Sequence, residues 1–166
     1  MQSLLAMVAG FGLLVTFIGH VALVCGYDLY GKGWNVLFVG IFVVWFPTVW
    51  SMRKFGHAFR ADGGWKIALT GTSTWVRSVV YGAFTYAIVN FGLGMLGLFE
   101  LKGGGFWRVG SSHAMAFYAA AWGLALAAEG RASQGIEWKC QRGHDINPGA
   151  KFCEACGAPA IHRETA

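Results

Sequence analysis

Four residues near the carboxyl end, Cys140, His144, Cys153 and Cys156, are of types and spacings that suit metal ligation. Cys153 and Cys156 form a C-x-x-C pair followed by Gly157, and Cys140 and His144 form a C-x3-H pair upstream of it. Zinc takes four soft or borderline ligands in a tetrahedron. A C-x-x-C-G turn presents two thiolates to one side of such an ion, and the glycine allows the tight backbone. The second pair closes the other side, with one extra residue of spacing because an imidazole nitrogen reaches further than a sulfur. Four protein ligands leave no open position, so the zinc expected here is structural and not catalytic. Free thiols in an unstructured tail are the bland alternative. A thioredoxin-like redox pair would need a surrounding βαβ unit that this tail is too short to make.

The surrounding residues carry a resemblance. Cys140-Gln-Arg-Gly143-His144, then Pro148-Gly-Ala-Lys-Phe152, then Cys153-Glu-Ala-Cys156-Gly-Ala-Pro159 resemble the short zinc ribbons at the ends of many bacterial proteins. The likeness covers about residues 138–160 only, and His144 makes it a Cys3His form. It implies two short β-hairpins and a role in binding or regulating a protein partner, and it implies no reaction. Phe152 and Ile146 are expected to pack over the metal, and His162 lies outside the paired pattern.

A second set of chemically capable residues lies in apolar surroundings. Gly12, Thr16 and His20 recur at four-residue steps, as do Gly82, Tyr86, Asn90 and Gly94, and His113 precedes a run of alanines. Polar groups inside apolar segments are expensive and therefore informative. His20, Tyr86, Asn90 and His113 form a candidate intramembrane polar site. It could hold a haem through His20 and His113, hold a quinone headgroup, relay protons or line a transport path. The plain alternative is hydrogen bonding between helices beside small residues. Gly92-x-Gly94-x-x-Gly97 matches a dinucleotide fingerprint but follows no strand, so close helix packing or a bend is expected there. Cys25 stands alone. No serine–histidine–acid set, H-E-x-x-H or P-loop occurs, so no catalytic constellation is identified and enzymatic activity is left open.

The elements that would position these groups follow from composition. Of 166 residues, 55% are hydrophobic and 13% charged, where a soluble domain carries about 25% charge. The apolar residues fall in four runs, about 4–25, 34–50, 75–99 and 110–128, each near the length that crosses a bilayer. The fold class expected is an all-α membrane protein: a four-transmembrane-helix bundle over residues 1–129, a linker at 130–137, a ribbon at 138–160 and a tail at 161–166. Pro47 is expected to kink the second span. The first run has no basic n-region and no clear cleavage site, and so reads as a retained span.

Charge sets the expected orientation. Arg53, Lys54, Arg60 and Lys66 crowd the middle loop, and the tail carries Arg131, Lys139, Arg142, Lys151 and Arg163. Positive loops face the cytoplasm, which puts the amino terminus and the ribbon inside, at the inner membrane of a bacterium. Trp34 and Trp107 suit one interface, and Trp50, Trp65, Trp75 and Trp138 the other. His20, Asn90 and His113 then share the outer half. Met52, Phe55 and Phe59 allow an interfacial amphipathic helix in the middle loop, or a frayed end of the second span. Arg77 is expected to snorkel to the inner interface.

The readings that remain are a membrane anchor or accessory subunit whose zinc ribbon binds a protein, a haem- or quinone-binding redox subunit using His20 and His113, and a small transporter or channel. Nucleic acid is the weaker explanation of the net charge of +5, because the basic residues flank the spans. The chain could also form an oligomer.

Overall fold

The computed structural model describes residues 2–27, 34–52, 64–99, 104–134, 137–147 and 150–163. The middle-loop helix expected around Phe55 and Phe59 falls outside these residues. The chain is mostly helical: α1 is Gln2–Val24, α2 Trp34–Met52, α3 Gly64–Ala68, α4 Thr74–Met95 and α5 Gly104–Ser133. Two strands follow, β1 at Glu137–Cys140 and β2 at Ala160–Arg163.

Helix α5 is the centre of the bundle. Helices α1, α2 and α4 all pack on it, and its buried positions run from Ser111 to Ala127. Its sequence allows this, because alanine, glycine and serine let neighbouring backbones come close. Tyr118 is the largest of its buried side chains. Its ring lies where a Cβ on Gly12 of α1 would have to go, and its hydroxyl stands where a Cβ on Gly40 of α2 would. That hydroxyl also donates to Leu37 O at 2.9 Å, so one α5 side chain ties two other helices to the centre.

Among the described residues two helices, α1 and α4, are long and apolar enough to cross a membrane, while the apolar stretch of α2, Asn35–Trp50, is shorter. The expectation of four such spans is therefore met by two on length and composition alone. Helix α5 falls short for a physical reason: its polar and small residues face other helices, so its average hydropathy is low although its surroundings are apolar.

The element ends also differ from the expected ones. Helix α5 starts at Gly104 and not near Gly110, which takes Arg108 out of a loop and into a helix. It also runs through Ser133, across part of the expected linker. There Gly130 packs directly on the Gly71 carbonyl, and Arg131 Nη1 donates to Ala68 O at 2.8 Å and Thr70 O at 3.0 Å. Gly71 has φ +92°, and a Cβ there would stand 2.7 Å from Arg131 N, so only glycine suits this turn. Arg77 spends its guanidinium on the same turn, donating from Nη2 to Thr72 O at 3.0 Å. Pro47 sits inside α2, which continues to Met52.

The glycines of the false fingerprint end α4. Leu96 and Gly97 donate their N–H groups to Gly92 O and Gly94 O, Leu98 N–H reaches Leu93 O at 3.1 Å, and Gly97 has φ +75°. A left-handed glycine just past a helix is a common stop signal.

Candidate metal centre and buried polar cluster

In the tail, β1 and β2 pair antiparallel, with Glu137 opposite Arg163 and Cys140 opposite Ala160. The two ligand turns hang from this pair. Gly143 donates to Cys140 O at 2.9 Å and Gly157 to Cys153 O at 2.8 Å. Both glycines have positive φ, 83° and 68°, so each turn depends on a residue without a Cβ. Isolated bridges join Lys139 to Asp145 and Phe152 to Pro159.

This scaffold gathers Cys140, His144, Cys153 and Cys156 into one cluster whose ligand atoms all lie within 4.8 Å of one another. Cys140 Sγ is 3.7 Å from Cys156 Sγ and 3.7 Å from His144 Nδ1, and Cys153 Sγ is 3.8 Å from the same nitrogen. Zinc bonds sulfur at about 2.3 Å and imidazole nitrogen at about 2.0 Å, so tetrahedral ligand atoms should stand about 3.5–3.8 Å apart. The separations and the donor set both fit a metal. Burial raises the Cys140 thiol, but the backbone N–H groups of His144 and Arg142, with the Cys156 and Cys153 thiols, outweigh it and bring it down to about 7. Cys156 moves up: the Ala158 amide opposes this, and burial with the Cys153 and Cys140 neighbours prevails.

Phe152 departs from expectation. It does not cover the metal; it is 60% exposed. Beside it a recess of about 310 Å³ is lined by Asp145, Ile146, Asn147, Glu154 and Ala155. Phe152 itself lines this recess.

In the helical part the structure joins His20, Tyr86 and Asn90 through three residues that the sequence did not single out. Ser111 Oγ stands within hydrogen-bond distance of both His20 Nδ1, at 2.7 Å, and Arg108 O, at 3.0 Å. The other ring nitrogen, Nε2, is hydrogen-bonded with the Tyr86 hydroxyl at 2.6 Å. Asn90 Nδ2 donates to Arg108 O at 3.1 Å and Ser112 Oγ at 3.2 Å, and Arg108 Nε donates back to Asn90 Oδ1 at 3.1 Å. Thr16 donates to Gly12 O at 2.7 Å. Among the described residues, the one buried polar side-chain atom without a partner is Glu129 Oε1.

His113 takes no part. It bonds Val109 O through Nδ1 at 2.9 Å and sets its ring against Phe91, with centroids 6.0 Å apart. It stands two positions after Ser111, about 200° around the helix. Both nitrogens of His20 are engaged, so neither is open to a haem iron in this arrangement. The missed members are Arg108, Ser111 and Ser112. A polar run just inside the fourth apolar segment, Arg108 to His113, was the available signal.

Asn90 is the joint of this network: it is 1% exposed and bonded at both ends of its amide. Asn90→Leu should lower stability by about 1–3 kcal/mol, because it strands Ser112 and the Arg108 guanidinium. Thermal unfolding in detergent, followed by circular dichroism, should show the loss. An unchanged midpoint would mean that the bonds contribute nothing net.

No family model, curated protein or solved structure matches the chain.

Proposed function

We propose that the chain is an integral membrane accessory subunit whose carboxyl-terminal zinc ribbon holds a protein partner at the cytoplasmic face. The observation that carries the reading is Phe152, an aromatic side chain left largely in the open on a closed metal module. A ribbon that served only to cap the chain would gain by covering it. Aromatic residues are enriched at the centres of protein interfaces. The adjoining recess holds Asp145 and Glu154, which suits a partner segment that sets a basic side chain beside an apolar one.

The bundle supports the membrane half of the reading. The most hydropathic windows of α1 and α4 are only 28% and 22% buried within the protein, whereas the core helix of a soluble protein is mostly buried. Their outward faces, and that of α2, carry large apolar side chains such as Phe11, Phe46 and Ile88. The buried polar residues, His20, Thr48, Asn90, Ser111 and Ser112 among them, lie inside. An apolar exterior around a hydrogen-bonded polar interior suits lipid as the solvent. On this reading α1, α2, α4 and α5 all cross the bilayer. Helix α5, of 30 residues, is about 45 Å long and outruns the hydrocarbon core. The basic tail places the ribbon inside.

The test is a photo-crosslinking side chain at position 152 in the full chain, in membranes, with zinc measured on the same preparation. One discrete adduct should form, and Phe152→Glu should abolish partner recovery in mild detergent while zinc stays at one per chain. No adduct in the native membrane would sink the partner reading. Digestion of the tail by protease added to intact cells would overturn the orientation.

A further inference from the structure

Arg108 stands on α5 shortly after the helix starts at Gly104, and its half-buried side chain is anchored twice. Nε donates to Asn90 Oδ1 at 3.1 Å, and Cζ lies over the Phe99 ring, 4.6 Å from its centre. Asn90 is a rigid anchor. It is 1% exposed, and its Nδ2 is spent on Arg108 O and Ser112 Oγ. The other end of the guanidinium is unspent. Among the described residues neither Nη has a hydrogen-bond partner, and no carboxylate pairs with the charge. Nor are these two nitrogens walled in, since among the same residues the one buried side-chain polar atom without a partner is Glu129 Oε1.

Arginine carries its N–H donors in a planar fork, and parallel bonds from that fork fit two oxygens of one phosphate or carboxylate. With Nε committed to Asn90, the Nη pair presents the charge outward. The surroundings are apolar: neighbouring Phe106 is 59% exposed, and Trp107 leans on Phe38 with ring centroids 5.9 Å apart. A cation in such a place is costly without an anion. Its depth says which anion. On the membrane reading α5 is about 15 Å longer than the hydrocarbon core, about 7 Å at each end when shared equally, and Arg108 lies about 6 Å along the helix from its start. That is the level of the lipid phosphates, on the membrane face opposite the ribbon.

We infer that Arg108 binds the phosphate of a phospholipid through its two Nη groups, with Asn90 as the positioning residue that fixes the guanidinium. The occupant is a lipid and not a soluble phosphate, because Phe91, Met95 and Phe106 leave apolar surface at the same end of the bundle for acyl chains. The site is independent of the ribbon's partner and rests on the membrane reading.

The experiment is native mass spectrometry of the full chain released from detergent micelles, titrated with dioleoylphosphatidylglycerol, dioleoylglycerol and glycerol 3-phosphate. The first two share their chains and differ in the phosphate; the third carries the phosphate without the chains. The phospholipid should bind about tenfold more tightly than dioleoylglycerol, the scale of a hydrogen bond to a charged group, and more tightly still than glycerol 3-phosphate. Arg108→Gln should bring the two lipids within about twofold, with dioleoylglycerol binding unchanged as the sign of an intact fold. Arg108→Lys keeps the charge without the fork and should hold a preference of about threefold. Asn90→Asp gives the guanidinium a counter-ion from inside, so it should lower the preference about threefold. A guanidinium that only braced the helices would leave the preference where it was. Equal binding of the two lipids by the parent chain would show that water alone solvates the Nη pair, and would overturn the site. So would a tenfold preference that survives Arg108→Gln. Glycerol 3-phosphate binding as tightly as the phospholipid would overturn the lipid as occupant. Failure of the membrane reading is distinct: the chain would then stay in the aqueous fraction without detergent.

Discussion

If the Cys3His cluster holds zinc as proposed, Cys140→Ser should strip it from the chain and unfold residues 137–163 together. Over the described part of this segment the buried residues are Cys140 and Cys153, 1% and 4% exposed, and both are ligands. Among the described residues of this segment no large apolar side chain is fully buried, and Phe152 is exposed. The two strands of four residues each make a sheet that is marginal alone in water. Structural zinc in small modules contributes about 10–16 kcal/mol of apparent binding free energy at neutral pH, and in a segment without a core that is the folding free energy. Losing one of four ligands should reduce zinc from one to near zero per chain, measured by elemental analysis. Limited proteolysis should then cut within 137–163 while the helical part stays intact, with its thermal midpoint unchanged. A tail that resists protease without metal would show that something other than the ion holds it.

The metal cluster was legible because its determinants are local. Two short spacings and two turn glycines place four donor atoms, and little depends on the rest of the chain. The interior of the bundle was only partly legible. His20 and Asn90 stood out as expensive residues in apolar runs, and both are buried. Ser111 and Ser112 did not stand out, because a serine in a helix can bond its own backbone and so gives no sign of a partner. Their roles depend on how α1 and α4 rotate against α5. The same rotation sets His113 apart. Residues four apart advance about 400° around a helix, so a four-residue stripe drifts about 40° at each step. Gly82 and Tyr86 consequently edge a groove between α1 and α4, while Asn90 and Gly94 of the same stripe are buried. Phe152 misled for a related reason. Its hydrophobicity suggested cover for the metal, but the side chain is left 60% exposed at the edge of the recess.

The number of spans shows how far composition reaches. Runs of large apolar residues mark the helices with outward faces, α1 and α4 most clearly. They mark the central helix poorly, because a helix enclosed by others needs small residues and can hold polar ones. Low hydropathy in α5 therefore goes with its central place among the other helices.

That central place gives the second large effect. Gly12→Ala should cost about 1–3 kcal/mol, because its Cβ would stand in the Tyr118 ring and a packed interior resists added volume. Tyr118→Ala should cost about 2 kcal/mol or more. Large-to-small changes in water lose a transfer term and a cavity term; within lipid the transfer term nearly vanishes and the lost packing remains. It also removes the hydrogen bond to Leu37 O, so α1 and α2 should loosen together. The double variant is the sharper measurement. If the glycine is there to admit the ring, the new methyl group enters the space the ring has left, and the pair should cost about 1–2 kcal/mol less than the sum of the single changes. Reversible unfolding of the three variants in the same detergent gives this coupling. Strict additivity would mean that Gly12 serves some purpose other than the approach of Tyr118, and the centre of the bundle would have to be sought elsewhere on α5.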